Sequence, residues 1–481
     1  MKNDQTPQRD NWTGHDFIHA VDKPLLRGFS NEILPRLPPA TPNLTSCGAH
    51  GASVTTLAMS FAEIIAVGSE LLTPYRLDTN SLFLTAELNR LGFQVRRKHV
   101  VGDNDGDLRE VFAGALQRVG VVVSCGGLGP TSDDRTREIV ADLLHRKLVR
   151  NDHVLRGIQE RFRSFGRTMP DVNVRQAMVP EGAEILVNER GTAPGLWIPH
   201  EGNIIVLLPG PPRELQPMFV QEVKPRLARR GGNVRLYTRE LRIAGLPESE
   251  VEQRIAPIYA QYRGTETTIL AVAGEIQLHP RVWSEDEAAA IKLLDEMTEL
   301  FRVALGENLY TTSGETLEFV VARELQEHRA TIAVAESCTG GLLAARLTNV
   351  PGSSSYFLGG VVSYSNELKS AWADVPQELI AAKGAVSAEV ALAMARGIRR
   401  QTNATVGVGV TGIAGPGGGS AEKPVGLVHI AIATEQQKDG QNEKERAFRF
   451  PGERDRIRLQ AAQAALDMVR RYFLRPAPAK A

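Results

Sequence analysis

Two glycine-bearing loops hold most of the chemistry this sequence could perform. In the first, Glu336-Ser337-Cys338-Thr339-Gly340-Gly341 follows an apolar stretch and opens a helical pattern. A serine hydroxyl at a helix N-terminus meets free backbone N–H groups and the positive end of the helix dipole. Those amides could also form an oxyanion hole. Serine still needs a base, and the only histidines from residue 313 onward, His328 and His429, sit in no pattern that offers one. Lys369 is a candidate base if burial depresses its pKa. Tyr364, five residues earlier, could relay the proton. Lys369 lies too far along the chain for an SxxK helix motif, so it must meet Ser337 through the fold. The same residues also read as a tight helix entry capped by Ser337, a solvated Lys369 and a small buried Cys338. A thiol at the helix start would have a lowered pKa, which keeps Cys338 as a rival nucleophile.

The second loop reads GGLGPTSDDRT over residues 126–136, and GSELLTPYRLDTN precedes it at 68–80. Glycines 126, 127 and 129 let backbone approach a phosphate closely. Asp78, Asn80, Asp133 and Asp134 are hard oxygen ligands suited to a Mg²⁺-type ion. A phosphate cradle beside acids is what metal-assisted pyrophosphate hydrolysis requires. The competing reading is that Asp133 and Asp134 cap the helix that follows.

The elements that must position these loops are α/β. Residues 62–67, 121–125 and 203–208 read as buried strands, with helices over 81–91 and 136–145. Apolar strands alternating with helices imply a parallel sheet covered on both faces, whose ligands gather at the carboxyl ends of the strands. Residues 234–243 and 269–278 read as two weak strands, and 248–262 and 284–305 as helices, of a small α+β unit. A composition break at Tyr310-Thr311-Thr312-Ser313-Gly314 precedes the last domain, whose first helix is expected to start on a Thr312-x-x-Glu315 capping box. Strands at 332–335, 361–364, 406–410 and 428–433 and a closing helix at 455–472 complete it.

Residues 1–58, with prolines at 7, 24, 35, 38, 39 and 42, show no sustained period and read as a disordered extension. Met59 stands just before the first strong strand as a second candidate start. Lysine plus arginine balance aspartate plus glutamate at 56 each, so no general field draws the chain to nucleic acid or membrane. Three cysteines, Cys47, Cys125 and Cys338, fit a reducing cytoplasm rather than a disulfide framework. No apolar run approaches the ~18 residues that span a bilayer.

The stretches AESCTGG, GGVVSYSNELK, GAVS, GVTGIAGPGGGSAEKPVG and FPGERDRIR, in that order, resemble the nicotinamide-nucleotide amidohydrolase domain of the CinA (competence/damage-inducible protein A) family, over about 313–475. The resemblance implies that Ser337, Tyr364 and Lys369 hydrolyse the carboxamide of nicotinamide mononucleotide to nicotinic acid mononucleotide and ammonia, without a cofactor. It places the substrate against Thr339, Gly340, the stretch Thr411, Gly412, Ile413, Ala414 and Gly415, and Arg454, with Arg454 as a phosphate ligand supplied across a dimer interface or within the chain. The loops at 68–80 and 126–136, with LPGPPREL at 208–215, resemble the molybdopterin-binding-like domain of the same family, over about 61–225. That likeness implies a three-layer α/β domain hydrolysing ADP-ribose with a divalent metal (Mg, Mn or Co). Its nucleotide site would comprise Gly68, Ser69, Glu70, Gly127, Gly129, Thr131 and Gly210, with Asp78, Asn80, Asp133 and Asp134 on the metal. Pro74 departs from the family's usual glycine in the GSELLxG turn and removes an amide donor there. Residues 230–305 resemble the family's small KH-like linking domain, here without a GxxG loop or basic cluster that would suggest RNA. The expected protein is a cytoplasmic homodimer acting on small nucleotides. The alternatives are an N-terminal domain that binds a pterin or nucleotide without turnover, and a competence or recombination partner.

Overall fold

The first strand, β1 (Ser60–Val67), is buried along nearly its whole length, which only a sheet covered on both sides allows. Ile64 faces a core shared with α1 (Asn80–Arg90), while its neighbour Ile65 faces a core shared with α2 (Asp105–Arg118). The structure is a computed structural model and describes residues 60–438 and 441–474. The proline-rich stretch 1–58 lies outside the described residues. Strands β2 (Phe93–Val101) and β3 (Val121–Cys125) flank β1 in parallel. After α3 (Thr136–Leu143), a small antiparallel pair, β4 (Leu148–Arg150) and β5 (Met178–Pro180), brackets α4 (Asp152–Ser164). The sheet is completed by β6 (Glu184–Leu186), β7 (Gly195–His200) and β8 (Asn203–Leu208) in the order β2-β1-β3-β8-β7-β6. The wholly parallel sheet expected from the sequence is corrected here, because β6, β7 and β8 pair antiparallel. Glu201 and Gly202, both at positive φ, turn the chain back from β7 to β8 as a two-residue hairpin. Helices α5 (Pro212–Met218) and α6 (Lys224–Ala228) close the α1 face.

The linking unit also departs from the expectation. Residues 234–243 divide into β9 (Arg235–Thr238) and β10 (Leu241–Ala244), and 269–278 is no single strand. It straddles a hairpin between β11 (Thr265–Val272) and β12 (Glu275–Ser284), turned at Ala273-Gly274 with Gly274 at φ 80°. With β13 (Leu309–Thr311) they form one sheet, backed by α7 (Glu248–Tyr259) and α8 (Glu287–Leu305) through Val251, Ile255, Met297 and Phe301.

The last domain begins with α9 (Leu317–Glu327), whose N-cap is Thr316 and not the expected capping box. The Glu315 carboxylate instead accepts from Ser313 Oγ at 3.1 Å and pairs with Arg323 at 2.9 Å. Then follow β14 (Ile332–Glu336), α10 (Leu342–Thr348), β15 (Phe357–Val362), α11 (Asn366–Ala373), α12 (Gln377–Lys383), α13 (Ala388–Thr402), β16 (Val406–Gly412), β17 (Leu427–Lys438), β18 (Gln441–Arg449) and α14 (Arg454–Leu474). The order is β15-β14-β16-β17-β18, with the first three strands parallel. Helices α9, α10 and α14 cover one face; α12 and α13 cover the other. Far along α14, Gln463 bonds Glu275 and Arg470 bonds the Glu307 carbonyl, which docks this helix on the linking unit. No helix among the described residues is long and apolar enough to cross a membrane.

Candidate functional site

In the C-terminal domain the ends of β14, β15 and β16 lie side by side. The Ser337 amide donates to the Val410 carbonyl (2.9 Å), and the Ser363 amide donates to the Glu336 carbonyl (2.8 Å), so the loops after β14 and β15 start next to each other. Ser337 is 7% exposed. A turn closed by the Gly340 amide on the Ser337 carbonyl (3.1 Å) carries the chain to Gly340 and Gly341, both at positive φ. The expectation that Ser337 itself opens a helix is corrected: α10 starts only at Leu342. The free helix-end amides are not free either. The buried Glu336 carboxylate accepts from Gly341 (3.0 Å), Leu343 (3.1 Å) and Ala344 (2.8 Å). The oxyanion hole expected from those helix-end amides is therefore not available there, and the next amides along the turn are those of Cys338 and Thr339.

Glu336 fixes the Ser337 loop to α10. Glu336→Ala leaves three amides without their acceptor, and each such buried group costs ~1–3 kcal/mol. We expect a loss of stability of at least ~2 kcal/mol by urea denaturation. A midpoint equal to wild type would contradict this role.

Lys369 lies one turn into α11, 2% exposed, and its Nζ donates to the carbonyls of Ser363 and Tyr364, each at 3.1 Å. Burial holds its pKa below the ordinary lysine value. The competing reading of a solvated lysine is thus excluded. The Tyr364 side chain, 56% exposed, turns the other way: its hydroxyl accepts from Arg454 Nη2 at 2.9 Å. Arg454 Nη1 donates to the Gly415 carbonyl of the same chain at 2.7 Å. Cys338, 5% exposed, packs into the α9–α14 core, and burial pushes its thiol up to about 12. It lacks the lowered pKa that a nucleophilic cysteine needs.

The stretch Thr411–Gly415 is only partly the phosphate cradle expected from the sequence. Thr411 Oγ1 donates to the Ala385 carbonyl (2.7 Å), and the Ile413 amide is spent on the Leu427 carbonyl (2.8 Å). A Cβ on Gly412 would press against that same carbonyl at 2.7 Å, and Ala414 is buried. Gly415 remains as the part of this stretch that reaches Arg454 and, through it, Tyr364. Thr339 is buried with its hydroxyl unpartnered, while its carbonyl accepts from Arg458 Nε (3.3 Å) and Nη2 (3.0 Å). Arg458 and Glu336 were missed by the sequence reading, though both stand inside the quoted motifs. Nothing in the order of residues says that one clamps a carbonyl and the other a helix end.

In the N-terminal domain two adjoining clefts lie over the ends of β1, β3 and β8. One, of about 320 Å³, is lined by Gly68, Glu70, Gly127, Gly129, Asp133 and Asp134 among others. The other, of about 660 Å³, is lined by Glu70, Arg76, Asp78, Asn80 and Arg213. Gly210 borders both. Gly126 and Gly127 take φ 102° and 65°, and a Cβ on either would collide with the Val67 carbonyl or the Thr136 hydroxyl. The loop's carbonyls are drawn inward: the fully buried Arg137 donates to those of Leu128 (2.7 Å) and Gly129 (3.2 Å), and Arg175 to that of Thr131 (2.6 Å). These two arginines also escaped the sequence reading.

Several expected contacts are redirected. Asp134 accepts from the Thr131 amide (2.9 Å) and hydroxyl, and α3 has no side-chain cap, so the capping alternative fails. Ser69 Oγ donates to Asp103 at 2.7 Å. Pro74 lies in an exposed turn outside both sets of cleft residues. The four expected metal ligands do not form one set, since Asp133 and Asp134 line one cleft and Asp78 and Asn80 the other. Among the described residues no three His, Cys, Asp or Glu side chains group to hold a metal ion. Asn80 donates from Nδ2 to the Gly210 carbonyl (2.7 Å), but its Oδ1 is buried without a partner. These oxygens fit a Mg²⁺-type ion that takes one or two carboxylates and completes its shell with substrate phosphate and water. They do not fit a cage built by the protein alone.

Family models match in three consecutive pieces: a probable molybdopterin binding domain over residues 63–229, a damage-inducible protein CinA KH domain over 238–311, and a CinA C-terminal domain over 314–473. A CinA-like protein of Koribacter versatilis is 50% identical over 417 residues, covering 86% of this chain and 100% of that protein. The chain belongs to the CinA family. A putative competence-damage inducible protein of Moorella thermoacetica is 44% identical over 408 residues, covering 84% of this CinA-family chain and 97% of its relative. Among solved structures, a competence/damage inducible protein from Agrobacterium tumefaciens is 41% identical and covers 32% of this chain and 90% of that one, with a TM-score of 0.30.

Proposed function

We propose that the C-terminal domain hydrolyses the carboxamide of nicotinamide mononucleotide to nicotinic acid mononucleotide and ammonia. The observation that carries this reading is a lysine buried beside the serine loop, with its ammonium held on the Ser363 and Tyr364 carbonyls and its pKa lowered by burial. Neutral Lys369 takes the Ser337 proton as Oγ bonds to the carboxamide carbon. The amides of Cys338 and Thr339 stabilise the oxyanion. The C–N bond then breaks, Lys369 returns the proton to the departing nitrogen, and ammonia leaves. Water attacks the resulting ester, frees the carboxylate and restores Ser337. Tyr364 accepts from Arg454, so its own hydroxyl proton can be given to a substrate atom.

Arg454 spends donors on Tyr364 and Gly415, and its planar fork leaves others for a phosphate. Arg454→Ala is expected to raise KM for the mononucleotide at least ~10-fold, about 1.4 kcal/mol. The unphosphorylated riboside, for which only the Arg454–Tyr364 bond is lost, should be affected much less. Equal losses on the two substrates would remove the phosphate role.

A second activity is favoured by the paired clefts: hydrolysis of the ADP-ribose diphosphate in the N-terminal domain. A bound divalent ion would neutralise phosphate charge and lower the pKa of water there. The glycine loop would hold the phosphates, and the ion would take its protein oxygens either from Asp133 in the glycine-loop cleft or from Asp78 and Asn80 in the adjoining one. EDTA is expected to abolish AMP release from ADP-ribose while sparing ammonia release from the mononucleotide. AMP release that survives both EDTA and the double change Asp78→Ala, Asp133→Ala would leave the domain a binding module or a metal-independent enzyme.

A further inference from the structure

The motif FPGERDRIR puts Arg454 and Arg458 four residues apart, so both project from one side of the first turns of α14. Arg454 reaches Gly415 and Tyr364. Arg458 reaches the serine loop: its Nε and Nη2 both donate to the Thr339 carbonyl, at 3.3 and 3.0 Å. Ile457 and Ala461 seat this end of α14 in the core that also holds Leu343 of α10. The guanidinium is therefore delivered from a fixed base.

The carbonyl it grips is the joint of two turns. It also accepts from the Leu342 amide (3.3 Å), while the Gly340 amide of the same peptide unit donates back to the Ser337 carbonyl (3.1 Å). In a trans peptide the carbonyl and the N–H point opposite ways. The unit joining Thr339 to Gly340 thus runs as a strut from Arg458 to Ser337. Little in the turn's own residues fixes that strut. Gly340 and Gly341 stand at φ 61° and 91°, and glycine takes negative φ as readily. The Thr339 hydroxyl is buried without a partner, so it anchors nothing. Glu336 holds the amides of Gly341, Leu343 and Ala344, beyond the strut.

We propose that Arg458 is a positioning residue for Ser337. It acts on the turn and not on the substrate. Rotation of the strut would free the Ser337 carbonyl and, with it, the Cys338 and Thr339 amides that lie between. Misplacing the attacking oxygen slows the reaction without weakening substrate binding. The inference rests on reading Ser337 as the nucleophile, but not on the mononucleotide being its substrate.

Two measurements on the full chain test this. Arg458→Met keeps most of the apolar stem and removes both donors. Its kcat for nicotinamide mononucleotide should fall at least ~10-fold, toward the ~100-fold that a misplaced group costs, with KM little changed. Arg458→Lys, which restores the charge and one bond, should recover part of that loss at the same KM. The second measurement is the rate at which a fluorophosphonate labels Ser337, read by mass spectrometry. There Ser337 Oγ bonds to phosphorus, fluoride leaves and the hydroxyl proton passes to the base, so the serine and its turn are needed but the mononucleotide is not. Labelling should slow in the same order, wild type, Arg458→Lys, Arg458→Met. Slowed labelling upholds Arg458 even if the wild type releases no ammonia, which would sink only the amidohydrolase reading. Wild-type labelling in both variants, a loss confined to KM, or a folded wild type whose Ser337 is never labelled would overturn it.

Discussion

Ser337→Ala is expected to lose at least ~10³-fold in turnover of nicotinamide mononucleotide, about 4 kcal/mol in barrier, because the bond-forming atom is gone while the oxyanion amides remain. Cys338→Ala should stay within ~10-fold of wild type, about 1.4 kcal/mol. The contrast follows from where the neighbours lie. Ser337 sits at the junction of β14, β15 and β16, next to the carbonyl that holds Lys369. Cys338 packs into the core, its thiol pushed up to about 12 by burial. Iodoacetamide inactivation that disappears in Cys338→Ala, together with an active Ser337→Ala, would reverse the roles.

Lys369→Met should cost nearly as much, ~10²–10⁴-fold, the range that a positioned general base supplies. The pH dependence has a definite sign. Only the neutral amine can take the serine proton, so kcat/KM should rise with pH through the folded-state pKa of Lys369. That midpoint lies below the ordinary lysine value of ~10.4 because burial disfavours the ammonium. Stability follows the same group. With the folded pKa lowered, the folded state binds fewer protons, so stability is penalised below that pKa and recovers as pH rises toward ~10.4. Lys369→Met should flatten that recovery. Parallel stability-versus-pH curves for wild type and Lys369→Met would show that burial does not strain the ammonium.

What the sequence made legible was set by period and punctuation. β1, β3 and β8 are apolar runs bounded by glycine or proline, and their loops fall at strand ends, so the order of residues alone locates the glycine loop of the N-terminal domain. The β11–β12 hairpin was hidden because Ala273-Gly274 is a weak turn signal within an otherwise strand-like stretch. The antiparallel β7–β8 pair was hidden because Glu201-Gly202 looks like an ordinary loop until both φ angles are known. The site divides in the same way. Residue types placed Ser337 and Lys369 as nucleophile and base candidates, but the burial that could make Lys369 a base depends on β15 and α11 folding over it. The direction of Glu336, which occupies the α10 amides, is tertiary information. So is the grip of Arg137 and Arg175 on the glycine-loop carbonyls, since a buried arginine has no signature apart from its partners.

The most direct measurement is ammonia release by the purified full chain from nicotinamide mononucleotide, with the nucleotide product identified in the same reaction. Equimolar ammonia and nicotinic acid mononucleotide, formed without added metal and absent in Ser337→Ala, are the expected result. No ammonia from the folded wild-type protein, or equal release by Ser337→Ala, would contradict the proposed amidohydrolase.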